Sequence, residues 1–329
     1  MSEPPLVSVV IPTFNSARWL RDTIESVLAQ THRPLEVIIG DNGSTDGTRE
    51  IAASYGSRLT LVHAHERGPG AARNAGLDAA RGEYVQFVDS DDLLEPWKIE
   101  RQLAVLRKTG ADLVWGPYWT YEEDPATGAF ALGERRDPDL SEDAAVDLID
   151  GAFLQIGSVL QRQSPVLAPL RFLPSEHLEE IDYQLRAALL GARFVKGSGD
   201  SGLLFRQHSG LRVSHGIDLR TATGALRNVR MLKAWWSDRD ELTPARRSAL
   251  IPPLLYAARV MARQAPELLS EVLGELRSLE PHFERRLPWK LQIPARLLGY
   301  ERMEHVARSY RAARALLSSR RPPSVRKGA

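Results

Sequence analysis

Three carboxylates follow directly on an apolar stretch in the first third of the chain. Residues 84–88 read YVQFV, and Asp89, Asp91 and Asp92 come next, within four positions of one another. Carboxylates this close repel each other unless a cation or hydrogen-bond donors share their charge. Mg²⁺ and Mn²⁺ prefer oxygen ligands and keep positions open for water or substrate phosphate. The pattern indicates a divalent cation site; the alternative is that the aspartates only cap the following helix.

The acidic cluster ends the fourth of several apolar runs that are separated by stretches with helical spacing. The runs lie at residues 7–12, 35–40, 59–64, 84–88 and 111–116. Alternation of strand and helix predicts an α/β fold with a mostly parallel, doubly wound sheet flanked by helices. Residues 117–140 are rich in aromatic and turn residues and predict a hairpin or an excursion over the sheet. Ligands of such sheets bind beyond the carboxyl ends of the strands, where the carboxylates are expected.

The charge of the chain is unevenly distributed. Residues 1–205 contain 19 basic and 31 acidic residues, a net charge of −12, whereas residues 206–329 contain 24 and 11, a net charge of +13. From about residue 217 the pattern is mainly helical. A basic, partly aromatic segment can bind an anionic membrane surface, and we expect such peripheral contact from residues 285–329. The alternative is a helical region with its charges in water. Nucleic acid is not expected, because no recognition module is apparent.

The composition of the 329 residues is that of a globular protein, with 43% hydrophobic and 26% charged residues. The chain contains no cysteine, which excludes disulfides and thiolate metal sites and suits a reducing compartment. We recognise neither a signal peptide nor an apolar run of about 18 residues. We therefore expect a cytoplasmic protein, with peripheral contact at the inner face of the membrane.

Four motifs occur in a fixed order: VSVVIPTFN, DNGSTDGT, GPGAARNAG and FVDSDD. Together they resemble the signature of the family 2 glycosyltransferases, which have the GT-A fold. The resemblance covers residues 6 to about 215. It implies a GT-A catalytic domain at 1–215, followed by a helical region at 216–319 and a basic, disordered tail at 320–329.

The resemblance implies a nucleotide-sugar site built from the first three motifs. Pro12, Thr13 and Asp41 would hold the base and ribose; a turn role before Asn42 is the alternative for Asp41. In GPGAARNAG, small residues let the backbone approach an anion, and Arg73 can neutralise phosphate through its planar guanidinium. The alternative for Arg73 is a solvated helix charge.

The fourth motif and a later segment bear on the diphosphate. Asp89 and Asp91 resemble the Asp-x-Asp of the family, which carries Mn²⁺ or Mg²⁺ on the diphosphate. FRQHSGLRVS at 205–214 resembles the Arg-x-His segment of the family. The imidazole of His208 can ligand a metal, or the charges of His208 and Arg206 can hold departing diphosphate. Closure of a loop is the alternative role for both residues.

Transfer to a hydroxyl group needs a base. HLEEIDYQLR at 177–186 resembles the Glu-Asp helix of the family, but Glu179-Glu180 stands where Glu-Asp is usual. The resemblance implies that Glu180 is the catalytic base, with Glu179 as the second candidate. Helical spacing predicts an apolar stripe from which Glu180 points away. Asp182 is expected to pair with Arg186 at i, i+4.

The predicted function is transfer of a sugar, with inversion, from a nucleotide diphosphate donor such as a UDP-sugar. The acceptor would be a hydroxyl of a glycan, a glycolipid or another lipid-linked precursor of surface polysaccharide. The Glu-Glu departure leaves open a nucleotide-sugar-binding protein without turnover. A sugar nucleotidyltransferase is a further alternative, although the loop PTFNSARW lacks the expected basic, glycine-rich character. GPGAAR is a poor match to a dinucleotide fingerprint, because Arg73 stands at the third glycine position.

Overall fold

The computed structural model describes residues 3–174, 177–208, 218–287, 291–292, 295 and 299–303. The chain divides into two compact units, Met1–His215 and Gly216–Ala329. The predicted basic tail, residues 320–329, lies outside the described residues. So does most of the segment 285–329 for which membrane contact is predicted.

Strands and helices alternate through most of the first unit. The strands are β1 (Val7–Thr13), β2 (Leu35–Asp41), β3 (Thr60–His63), β4 (Tyr84–Phe87), β5 (Leu93–Leu94), β6 (Leu113–Trp115), β7 (Tyr118–Glu123), β8 (Phe130–Arg136), β9 (Leu160–Arg162), β10 (Phe194–Lys196) and β11 (Leu203–Gln207). The helices are α1 (Leu20–Leu28), α2 (Thr48–Ala53), α3 (Pro69–Ala79), α4 (Lys98–Thr109), α5 (Ala144–Asp150) and α6 (Glu179–Leu189). The five predicted strands are all present.

The central sheet has seven strands in the order β10-β6-β9-β4-β1-β2-β3. It is parallel except for β9, which runs antiparallel to both β4 and β6. The residues of β1 and β4 are all buried, as expected for strands covered on both faces. The predicted α/β fold with a mostly parallel sheet is therefore confirmed.

A second sheet of four strands has the order β5-β11-β7-β8. The predicted hairpin in residues 117–140 is present as the antiparallel pair β7 and β8. Strand β11 joins β7 in parallel and β5 in antiparallel orientation. Short strands distant in the sequence form this sheet, so its composition was not foreseen from the local pattern.

The small residues of GPGAARNAG allow close packing of helix α3. A Cβ atom on Gly70 would lie 2.1 Å from the carbonyl oxygen of Leu173, and one on Gly76 would lie 2.3 Å from a methyl group of Val10. Across the interface, a Cβ atom on Gly40 in β2 would lie 2.2 Å from the Ala72 carbonyl oxygen. These glycines are needed for the close packing of α3, and the predicted approach of the backbone to an anion stays a prediction.

In its described part, the second unit is helical. Its helices are α7 (Leu219–Ser237), α8 (Pro244–Ala249), α9 (Ile251–Gln264) and α10 (Leu269–Leu279). Trp236 is fully buried in this unit, and Arg230 and Lys233 form ion pairs with Glu275 across α7 and α10. Trp236 thus packs in a protein core, which favours the alternative of a folded helical region here. Among the described residues, no helix combines the length and apolar character needed to span a bilayer.

Candidate active site

Three neighbouring parallel strands bring the predicted site residues to one edge of the central sheet. Pro12 and Thr13 end β1, and Thr13 lies beside Asp41 at the end of β2. Asp89 follows β4, which pairs with β1 on its other side. Since neighbouring strands are about 4.8 Å apart, β2 and β4 are separated by about 10 Å. The fold therefore places the predicted nucleoside residues and the acidic motif side by side.

Asp41 is fully buried and binds the loop that follows it. Its carboxylate accepts hydrogen bonds from the backbone of Gly43 and Ser44, each at 3.2 Å, and from Arg49 Nε at 2.7 Å. Burial alone would raise the pKa of Asp41, but the bonds from Ser44 and Arg49 outweigh it and hold the pKa below its usual range. Asp41 is thus an ionised acceptor that also fulfils the turn role considered above.

Side chains for which the sequence predicted no such role hold the acidic loop, residues 89–92. Ser16 Oγ and Ser90 Oγ are 2.7 Å apart. Thr23 is buried in α1. Its hydroxyl donates a hydrogen bond that the carbonyl oxygens of Ser90, at 2.9 Å, and Asp92, at 2.8 Å, share. These contacts fix the backbone from which the carboxylates project. Isolated serines and threonines carry no sequence signal for this role.

Arg73 gathers three carboxylates from distant segments. Its Nη1 donates to Glu179 at 2.7 Å, and its Nη2 donates to Asp89 at 2.8 Å and also to Glu180. The guanidinium side chain is only 3% exposed. Arg73, Asp89, Glu179 and Glu180 are called the Arg73 cluster below. The structure thus gives Arg73 carboxylate partners, whereas the sequence predicted a diphosphate contact, which remains a prediction.

The Arg73 cluster holds more negative than positive charge. Burial raises the pKa of Glu180 to about 8; Arg73 partly offsets this effect, whereas Asp89 and Glu179 add to it. For Arg73, burial would lower the pKa, but the three carboxylates outweigh it and raise the pKa above its ordinary value. A carboxylate whose pKa lies near neutral pH is suited to general-base catalysis.

The start of helix α6 positions both glutamates. Leu178 precedes the helix with φ 62°, in the left-handed region that branched residues rarely adopt, and Glu179 and Glu180 form the first turn. The expected pair between Asp182 and Arg186 is confirmed at 2.6 Å. The predicted stripe with Glu180 turned away is wrong, because α6 is buried on most sides. Its buried residues are Glu179, Asp182, Tyr183, Gln184, Leu185 and Ala187.

The end of β11 meets the acidic loop. His208 Nε2 lies 3.2 Å from Asp91 Oδ2, and the His208 side chain is 5% exposed. The backbone N–H of Arg206 donates to Asp92 at 2.9 Å. His208 and Asp91, which the sequence placed in separate motifs, are therefore in direct contact.

The residues around Asp91 fit a divalent cation only if the substrate supplies further ligands. In the described part of the chain, no three metal-ligating side chains cluster into a complete site. Two ligand atoms at about 2.1 Å from an octahedral cation lie about 3 Å apart, close to the separation of His208 Nε2 and Asp91 Oδ2. Mg²⁺ commonly uses one or two protein ligands together with phosphate oxygens and water. This pair fits such a partial site.

Comparison with known proteins supports the motif resemblance. The family model described as "Glycosyl transferase family 2" matches residues 8–160. Residues 8–160 thus resemble glycosyl transferase family 2. Glycosyltransferase GlyG of Streptococcus pneumoniae is 38% identical over 127 residues, which cover 37% of this chain and 42% of GlyG. An uncharacterized glycosyltransferase of Rickettsia typhi is 42% identical over 104 residues, covering 32% of this chain and 33% of the relative. The chain thus matches these curated relatives over well under two thirds of their length.

Solved structures share the fold over a longer stretch. TarS 1–349 of S. aureus, in complex with UDP-GlcNAc, superposes with a TM-score of 0.55 at 19% identity, covering 86% of this chain and 93% of TarS. The mannosyltransferase PcManGT of Pyrobaculum calidifontis, in complex with GDP-Man and Mn²⁺, gives a TM-score of 0.51 at 19% identity. It covers 94% of this chain and 88% of PcManGT. These superpositions show that the fold of the chain is GT-A.

Proposed function

We propose that this protein transfers a sugar from a nucleotide diphosphate donor, such as a UDP-sugar, to a hydroxyl group, with inversion at the anomeric carbon. The observation that carries the proposal is the meeting of Asp89 and Glu180 on Arg73. Both carboxylates bond the same nitrogen, so their bonded oxygens are within about 6 Å of each other. A carboxylate base and the predicted diphosphate site are therefore adjacent.

The donor would lie along the edge of the sheet. Asp41, Thr13 and Pro12 would bind the nucleoside, and the diphosphate would extend across β1 towards the acidic loop. UDP-GlcNAc in TarS and GDP-Man in PcManGT support a nucleotide-sugar as the donor class of this fold. Asp41 is an ionised acceptor, which suits a nucleotide base that presents an N–H group.

The base would be Glu180, with Glu179 as the second candidate. Glu180 takes the proton of the acceptor hydroxyl while the acceptor oxygen forms a bond to the anomeric carbon. The bond from that carbon to the diphosphate oxygen breaks, and its electron pair leaves with the diphosphate. Arg73 orients the base through the Arg73 cluster and stabilises the ionised form of Glu180 once the proton has been lost to solvent.

We propose that Asp91 and His208, with Asp89 nearby, hold Mn²⁺ or Mg²⁺. Such a cation would neutralise charge on the departing diphosphate. The acceptor class that we propose is a glycan, a glycolipid or a lipid-linked polysaccharide precursor at the cytoplasmic face of a membrane. The basic segment 285–329 remains the predicted contact with anionic lipid.

The proposal is tested by incubating the full chain with a panel of nucleotide-sugars and Mn²⁺ or Mg²⁺, and measuring released nucleotide diphosphate. We expect release with a UDP-sugar, increased by a suitable acceptor, and no release in the presence of EDTA. Donor binding without release, with every acceptor class tested, would identify a nucleotide-sugar-binding protein. Formation of a nucleotide-sugar from a sugar phosphate and a nucleoside triphosphate would identify a nucleotidyltransferase.

A further inference from the structure

Trp19, the residue before helix α1, is in contact with the end of strand β11. Its indole lies 4.9 Å from the imidazole of His208, with the two rings tilted by 33°. Aromatic rings at centroid distances of about 4.5–7 Å attract each other and restrict rotation. Since the His208 side chain is 5% exposed and Nε2 lies 3.2 Å from Asp91, the orientation of this imidazole matters for the candidate cation site.

The indole is itself fixed from several directions. Phe130 of β8 presents an edge-to-face contact at 5.6 Å, and the Arg206 guanidinium lies 4.6 Å from the indole centroid. Arg18 lies 4.1 Å from the same ring and forms an ion pair with Glu123 of β7 at 2.6 Å. The hairpin of β7 and β8 therefore holds Trp19 in place, and Trp19 has little freedom to leave the imidazole.

We propose that Trp19 is a positioning residue that holds the His208 imidazole towards Asp91 for cation binding. The inference rests on the proposed function, in which Asp91 and His208 hold the cation. Outer partners that orient a histidine ligand commonly change metal affinity by about 10–100-fold when they are lost. Trp19 would act on His208 through ring packing and not through a hydrogen bond.

The chain contains a matched control for Trp19. Trp97 precedes helix α4 as Trp19 precedes α1; both have right-handed helical backbone angles and neither caps its helix through a side chain. Arg101 lies 4.0 Å from the Trp97 ring, as Arg18 does at 4.1 Å from Trp19. Replacement of Trp97 therefore reproduces the loss of an indole at a helix start beside an arginine, away from His208.

The test measures Mn²⁺ binding to the full chain in the presence of UDP by electron paramagnetic resonance. Pulsed measurements on the same samples detect the nitrogen of an imidazole bound to Mn²⁺. We expect Trp19→Leu to weaken Mn²⁺ binding about tenfold and to reduce the imidazole signal. Trp19→Phe, which keeps a ring against His208, should stay within about threefold of the wild type, and Trp97→Leu should match the wild type. Trp19→Met is measured as well, in case Trp19→Leu folds poorly.

Two results would overturn the inference in different ways. If the wild type shows the imidazole signal and folded Trp19→Leu or Trp19→Met keeps it with unchanged affinity, Trp19 does not position His208. If the wild type binds Mn²⁺ without the imidazole signal, His208 is not a ligand, and the role of Trp19 fails with it. Release of nucleotide diphosphate from donors tests the proposed transfer separately, so a failure of the transferase function is distinguishable from both.

Discussion

Replacement of Arg73 by methionine removes the guanidinium that three acidic side chains share while keeping a side chain of similar length. Asp89 and Glu179 would lose their contacts with the guanidinium, at 2.8 and 2.7 Å. Glu180 would lose the shortest of the three contacts. Removal of one partner from a buried ion pair costs about 3–5 kcal/mol. We expect a loss of this size in the free energy of unfolding. With a urea m-value of about 2–3 kcal/mol/M, the unfolding midpoint should fall by about 1–2.5 M.

The loss should depend on pH in a defined direction. Burial raises the pKa of Glu180, and without the offsetting charge of the guanidinium this pKa rises further. A group whose folded pKa is raised contributes stability below its unfolded pKa, about 4.3 for Glu, and loses it as the pH rises. Burial raises the pKa of Glu180 in the wild type to about 8. The contribution of Glu180 to the free energy of unfolding therefore falls between about pH 4.3 and 8. The variant continues to lose stability above about pH 8, where the wild type no longer does, so the difference between Arg73→Met and the wild type should be larger at pH 9 than at pH 5.

Urea unfolding followed by tryptophan fluorescence and circular dichroism measures the effect at both pH values. Arg81→Met is the matched control, because Arg81 bonds Glu36 at 2.8 Å but its side chain is 79% exposed. An exposed pair contributes about 0–1 kcal/mol. Addition of Glu180→Gln to Arg73→Met should restore part of the loss. If Arg73→Met costs no more than Arg81→Met at either pH, the carboxylates do not depend on the guanidinium and the reasoning is wrong.

The same variant addresses the predicted contact between Arg73 and diphosphate. Calorimetry with UDP and UMP compares ligands that differ by one phosphate. A loss of affinity for UDP alone indicates direct contact with the diphosphate, whereas an equal loss for both ligands is expected if Arg73 only organises the Arg73 cluster.

Four further predictions concern the proposed chemistry. Glu180→Gln should lower turnover about 10²–10⁴-fold with little change in donor affinity, and Glu179→Gln should be milder; steady-state kinetics with both variants decides which residue is the base. In the wild type, kcat/KM should rise with pH up to about 8 as Glu180 loses its proton, and this rise should be absent from any residual activity of Glu180→Gln. Asp91→Ala should abolish Mn²⁺-dependent donor turnover while the chain stays folded, and wild-type activity that survives EDTA contradicts a metal role. Asp41→Ala should reduce discrimination among nucleotide bases, measured as the ratio of UDP to other nucleotide diphosphate affinities; an unchanged ratio removes Asp41 from base recognition.

The fold class, and the meeting of the candidate nucleoside-binding residues at one edge of the sheet, could be predicted from the sequence alone. Continuous β-branched runs such as residues 7–12 and 35–40 suit strands buried on both faces, and their spacing requires helical crossovers. Parallel strands joined in this way share a carboxyl edge. Thr13, Asp41 and Asp89 therefore had to lie near one another, and the register of β1 with β2 and β4 bears this out.

Contacts between charges from distant segments, in contrast, depend on the tertiary structure. Arg73 is separated from Glu179 by 106 positions and from Glu180 by 107, and the side chains of Asp91 and His208 meet across 117. Local periodicity indicates which face of an element is apolar. It does not indicate which residue pairs with a buried charge. For α6 even that signal failed, because a helix enclosed on most sides buries polar residues wherever an opposite charge or hydrogen-bond partner is available. Helix α3 packs against β1, β2 and Leu173, and this packing of segments distant in the sequence brings Arg73 to the glutamates.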